Sequence, residues 1–242
     1  MLRAAAIAGQ VLLLSACGAD GTPAQDVDPI GPPGVDLEVV EDHAREFREE
    51  LQGRVAGSQQ EQAASVYILG HLQQAGYVVL LDAVPVANLV RSTNVIARPP
   101  GGGDAGIVVI VPYDASGRAG EERAVALFLE LARALRARAP EHAVQFVALG
   151  AEHAATGGGR LGSRRLAQEL LDEEADPFIV RIDSVTRKGR VVARGPGAAR
   201  ISDAEVESAE GDPVFTRAGF DHAVVSGPAD ELGSSLLDFL SS

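Results

Sequence analysis

The chain has 242 residues and a formal net charge of −13, and 46% of its residues are hydrophobic while only 4% are aromatic. That length fits one domain with a sizeable core, built mainly from Val, Leu, Ala and Ile because Trp is absent. The acidic balance excludes a surface made for nucleic-acid phosphates, and the single cysteine excludes a disulfide framework.

The first segment reads as a targeting signal. Arg3 supplies a positive end, and Ala4 to Leu14 form an apolar stretch too short to span a bilayer. Leu14-Ser15-Ala16-Cys17 resembles a bacterial lipobox, a signal cleaved before the cysteine, which then carries acyl chains. The other reading is an ordinary secretory signal with a chance cysteine. On the lipobox reading, residues 1–16 are a lipoprotein signal peptide and 17–34 a lipid-anchored flexible tether rich in Gly, Pro, Ala and Asp. Residues 35–242 are then the folded domain. The expected location is the bacterial cell envelope, with the membrane as partner through acylated Cys17. Gly18 gives no acidic retention signal, which points to the outer membrane, facing the periplasm.

A helix is expected over 36–51, then a loop at Gly53-Arg54-Val55-Ala56-Gly57-Ser58. A second helix over 59–74 carries Ala64, Ile68 and Leu72 at helical spacing, with Gly76 as its stop. Apolar runs at 78–81 and 93–97 read as strands, and Gly101-Gly102-Gly103 makes a turn before a strand at 107–111. The clearest helix is 121–138. Ala124, Leu127, Phe128, Leu131 and Leu135 share one face, and its acidic start and basic end suit the helix dipole. A strand at 144–149 follows, then a flexible loop at Gly157-Gly158-Gly159, a helix over 163–173 and a strand at 178–182. The remainder reads as a strand around 190–193, a short helix near 203–208, a strand at 223–225 and a helix over 234–240. This alternation predicts an α/β fold: a three-layer α/β/α sandwich around a mostly parallel, doubly wound sheet.

Three of these strands end on acids. The 107–111 strand leads to Asp114, the 144–149 strand to Glu152 and His153, and the 178–182 strand to Asp183. Open parallel sheets place ligand sites beyond the C-terminal ends of their strands. Asp114, Glu152 and Asp183 are therefore expected together at one edge. Other chemistries find no support. Gly157-Gly158-Gly159 lacks the Lys-Ser/Thr of a phosphate-binding loop, no Gly-x-Ser-x-Gly elbow is present, and an acylated Cys17 cannot act as a nucleophile. No role is assigned to His43, His71 or His142.

The order of segments resembles the co-catalytic zinc exopeptidases of the bacterial leucyl aminopeptidase and glutamate carboxypeptidase type, in peptidase clan MH. Gly53 to Ser58 is similar to that family's Gly-Arg-x-x-Gly-Ser, Gly76-Tyr77-Val78-Val79 to its Gly-Tyr-x-Val strand, and Thr93 to Ala97 to its Asn-Val-Ile-Ala strand. Phe146 to Glu152 with Leu161-Gly162-Ser163 resembles its Phe-x-x-Phe-Gly-x-Glu-Glu and Leu-x-Gly-Ser segment, and Ile182-Asp183 the end of its Asn-x-Asp strand.

The resemblance implies two zinc ions that activate a water, and a residue-by-residue transfer leaves most of their ligands missing. Pro112 stands where the family has a ligand His, and Asp114, which there orients that His, is left without its client. Gly120 stands at the bridging Asp, with Glu121 or Glu122 as shifted substitutes. Glu152 keeps the general-base position, His153 replaces the ligand Glu, and Asp183 keeps its ligand position. The C-terminal ligand His is absent: Ser226 to Asp230 stands in its place, and His222 lies before the last strand. Asp212 is a further surviving acid. Glu152 is then either a general base or a carboxylate bonded to nearby groups.

Two functions remain open. One is a non-catalytic pseudopeptidase that binds a peptide or an envelope protein and needs no cofactor. The other is an active metal-dependent exopeptidase with a rearranged or single-metal zinc site.

Overall fold

Val and Ile fill the middle strands, as β-branched side chains fill sheets covered on both faces. A computed structural model describes residues 33–242 apart from 102, 104, 139 and 141. The expected signal peptide, Cys17 and nearly all of the tether lie outside the described residues. The strands β1 (Val78–Ala87), β2 (Val90–Arg98), β3 (Ile107–Pro112), β4 (Val144–Leu149), β5 (Phe178–Thr186), β6 (Val192–Arg194), β7 (Glu205–Ser208) and β8 (His222–Pro228) form one sheet. Their order is β1-β2-β4-β3-β5-β8-β6-β7. The centre, β4-β3-β5-β8, is parallel, so the strands at 107–111, 144–149 and 178–182 lie side by side as expected. The β1–β2 hairpin extends one side and the parallel pair β6–β7 the other.

Side-chain alternation assigns the layers. Val109, Val111, Phe146, Ala148, Val180 and Ile182 share a core with α1 (Leu37–Glu49), α2 (Gln59–Gln74), α3 (Glu121–Arg136) and α6 (Ala229–Ser241). Val108, Ile110, Val147, Leu149 and Ile179 pack with α4 (Leu161–Asp172) and α5 (Pro213–Ala218). The result is the expected α/β/α sandwich. On the first face His43 of α1 hydrogen-bonds the Tyr67 hydroxyl of α2 at 2.7 Å and stacks edge-on against His71. Burial and the charge of His71 lower the His43 pKa to about 4. No described helix is long and apolar enough to cross a membrane.

Several boundaries differ from the sequence reading. Residues 205–208 are a strand, where a helix near 203–208 was expected. Pairing with β6 overrides the helical composition of Asp203-Ala204-Glu205-Val206. The helix α5 was not foreseen; its six residues are too few to show a period, although Asp212 caps it and Pro213 opens it. The last strand begins at His222, whose Nδ1 lies 2.9 Å from the Phe220 carbonyl. Strand β5 runs on to Thr186, so Asp183 lies inside it, where the register against β8 slips by one residue between Ile182 and Ser184. Such slips re-aim a side chain.

Candidate functional site: an ion-paired cleft

The loop after β4 is fixed from both sides. Gly150 has no room for a side chain: a Cβ there would overlap Ser92 Oγ and come within 2.6 Å of the Thr93 carbonyl. Ala151 follows with φ 53°, and its N–H donates to the buried Glu61 carboxylate at 3.1 Å. Glu61 also accepts the Ser92 hydroxyl at 2.6 Å and the Gly57 N–H at 2.5 Å, while burial raises its pKa. Its partners tie the Gly53–Ser58 loop to the end of β4. The loop closes where the Arg160 N–H donates to the Glu152 carbonyl at 2.7 Å. The expected flexible stretch Gly157-Gly158-Gly159 is a turn of positive-φ residues that Arg160 continues, with φ 54° and ψ 34°. That backbone costs a non-glycine residue about 1–2 kcal/mol, and strain of this kind persists where surrounding structure over-determines it.

What holds Arg160 is a buried ionic network. Its Nη1 donates to Asp212 Oδ2 at 2.5 Å. Arg181, projecting from the middle of β5, lies 2.8 Å from Glu152 Oε2 and 3.1 Å from Asp212 Oδ2 through the same nitrogen. Glu152 also accepts the Ser163 N–H at 2.7 Å and its hydroxyl at 2.9 Å. Asp212 Oδ1 accepts the Val214 N–H at 2.9 Å and so caps α5. The side chains of Glu152, Asp212 and Arg181 are only 1%, 0% and 7% exposed. Burial works against the charge on Arg181, but Glu152 and Asp212 more than offset it and raise its pKa.

Asp114 is not left without a client, as the sequence reading had it: His153 has become its partner. Asp114 Oδ2 accepts the His153 N–H at 2.7 Å. The imidazole Nδ1 lies 3.2 Å from the Asp114 carbonyl and 3.3 Å from Oδ1. This contact raises the His153 pKa, chiefly through the Asp114 side chain and against the effect of burial. Gly120 sits at the start of α3 with φ 91°, and a Cβ there would lie 2.6 Å from the Val185 carbonyl, so β5 leaves this position no side chain. Glu121 is occupied by the loop before it, accepting from the Ser116 hydroxyl and from the Ser116 and Gly117 N–H groups. Asp183 faces two guanidiniums, Arg194 at 3.4 Å and Arg118 at 3.7 Å.

Glu152, His153, Asp183 and Asp212 thus line one cleft of about 560 Å³, together with Arg118, Arg160, Arg181 and Arg194. Asp114 lies beneath it, buried against His153. Pro112, Glu121, His153 and Asp183 also border a separate recess of about 10 Å³, room for roughly one water. Among the described residues no three His, Cys, Asp or Glu side chains form a group that could hold a metal ion. Sequence reasoning missed the four arginines and Glu61. One signal was visible: Arg181 interrupts the apolar strand Phe178-Ile179-Val180, and a buried arginine demands carboxylate partners.

The chain belongs to peptidase family M28: the model of that family matches residues 94–221, from β2 to the start of β8. Among solved structures, a leucine aminopeptidase precursor from Bacteroides thetaiotaomicron superposes with a TM-score of 0.71 at 14% identity, covering 88% of this chain and 99% of that one. A Zn-dependent exopeptidase from Parabacteroides distasonis gives 0.70 at 12% identity, covering 88% and 100%. The glutaminyl cyclase of Porphyromonas gingivalis gives 0.70 at 14% identity, covering 85% and 98%. At these identities the likeness is one of fold. No curated protein matches the chain.

Proposed function

We propose that this chain is a lipid-anchored cell-envelope protein whose exopeptidase fold acts without catalysis, in binding a peptide or an envelope protein. The observation that carries this reading is the Arg181 guanidinium seated between Glu152 and Asp212. An arginine has no lone pair for a metal, and here it supplies the positive charge that two buried carboxylates require.

The residues at the family's zinc positions fit zinc poorly. Pro112 has no donor, Gly120 has no room for one, and Asp183 is already shared by two guanidiniums. His153 would have to bind metal neutral, whereas Asp114 favours its protonated form. A catalytic zinc usually needs three protein ligands and an open position. Glu152 is not free to act as a base either: Ser163 and Arg181 occupy both of its oxygens.

The test is turnover by the full chain in detergent, with and without added zinc. It covers hydrolysis of aminoacyl and peptide substrates and, given the cyclase neighbours, cyclisation of N-terminal glutamine. Background rates, unchanged by Glu152→Ala, are expected. Zinc-dependent turnover abolished by Glu152→Ala would establish the active exopeptidase with a rearranged or single-metal site instead.

A further inference from the structure

The two edges of the sheet are built differently. At one edge β7 has four residues and presents Glu205 and Glu207. Short length and charge are the ordinary protection of a sheet edge against pairing with another chain. At the other edge β1 has ten residues, and between Val78 and Val84 its only charge is Asp82. That charge is already matched, because Arg165 of α4 grips both Asp82 oxygens at 2.9–3.1 Å. Val78, Leu80 and Leu81 are 54%, 48% and 55% exposed. Among the described residues only β2 hydrogen-bonds the backbone of 78–84. The outward N–H and C=O groups of this stretch are therefore left for water or for another strand.

We propose that this edge is a dimer interface, where β1 pairs antiparallel with the β1 of a second copy and joins the two sheets into one. The inference goes beyond the non-catalytic reading and does not depend on it. A twofold axis normal to the sheet keeps the faces of both strands aligned, so each residue meets one of its own face. Centred on Leu81, the axis pairs the whole stretch 78–84. Leu81 then meets the partner's Leu81, and Val79 the partner's Ala83, so that face is apolar throughout. On the other face Val78 meets the partner's Val84, and Leu80 meets the partner's Asp82, whose charge Arg165 holds. No like charges meet within the stretch. The ladder stops at Pro85, which has no N–H to give. An axis centred on Asp82 would instead set two carboxylates opposite each other, which disfavours that register. The neutrality of the stretch matters in a chain of net charge −13, because most of its surface repels a second copy. The chain's own tether is a poor substitute for that copy. Residues 18–32 include Pro23, Pro29 and Pro32 and three aspartates, residue types that strands avoid.

The test is sedimentation velocity of the full chain in density-matched detergent. The wild type should sediment as a concentration-dependent dimer. Leu81→Lys sets two cations opposite each other across the axis and should weaken the dimer at least about tenfold. An equimolar mixture of Leu81→Lys and Leu81→Glu should pair again, which variants with a damaged fold could not do. Val206→Lys on β7, 52% exposed in the wild type, should leave the dimer unchanged. A monomeric wild type, a dimer that withstands Leu81→Lys, a mixture that fails to pair, or loss of the dimer in Val206→Lys would each overturn the interface.

Discussion

Arg181 carries most of the interpretation at the scale of single residues. Its side chain is 7% exposed and stands between two carboxylates buried more deeply still. Removing one partner of a buried ionic cluster leaves uncompensated charge, so Arg181→Ala should lower stability by about 3–5 kcal/mol. Denaturant unfolding measures this, and a loss under about 1 kcal/mol would mean that Glu152 and Asp212 reach water or other donors. His153 gives a prediction in pH. Its folded-state pKa is raised above the ordinary 6.5, mainly by the Asp114 side chain. A raised histidine contributes stability that is fully present below pH 6.5 and is lost as pH rises through the folded-state value. His153→Gln should therefore destabilise more at pH 6 than at pH 9. An equal effect at both would show that the imidazole is held by packing and not by charge.

The element scale shows which parts of the fold local pattern can carry. The limits of α2 and β4 are those read from periodicity, because Gly76 and Gly150 punctuate them and their apolar spacing has one solution. Strand β1 and helix α6 are longer than their apolar stretches, since pairing and packing extend an element past its hydrophobic centre. The strand at 205–208 was hidden because its partner β6 is a separate three-residue segment. The acids of the site were legible for a local reason: parallel strands deliver their following residues to one edge. Their cations were not. Arg160, Arg181 and Arg194 reach Asp212, Glu152 and Asp183 across 52, 29 and 11 residues, and no short pattern announces such pairs. Gly150 was read as the end of a strand, and the structure adds why nothing larger fits. Gly150→Ala would drive a methyl into Ser92 and Thr93, so a loss of about 1–3 kcal/mol is expected from thermal or denaturant unfolding. A neutral outcome would mean that the β2–β4 contact yields easily.

At the scale of the whole molecule the proposal makes two claims: that the chain is tethered to a membrane and that its cleft takes up no zinc. The proposed anchor at Cys17, in the lipobox-like Leu14-Ser15-Ala16-Cys17, predicts that the wild-type protein fractionates with membranes and that Cys17→Ser is released or left unprocessed. Identical fractionation and migration of the two forms would remove the anchor from the account. The fold belongs with zinc exopeptidases, but the charge at the centre of its site is arginine's. The most direct test is a zinc titration of the full chain, followed by melting temperature and metal content after dialysis. A ligand at a hundred times its Kd stabilises a protein by about 2.7 kcal/mol. The account predicts no such rise and less than stoichiometric zinc retained. One or two tightly held zinc ions per chain with a clear upward shift in melting temperature would contradict it.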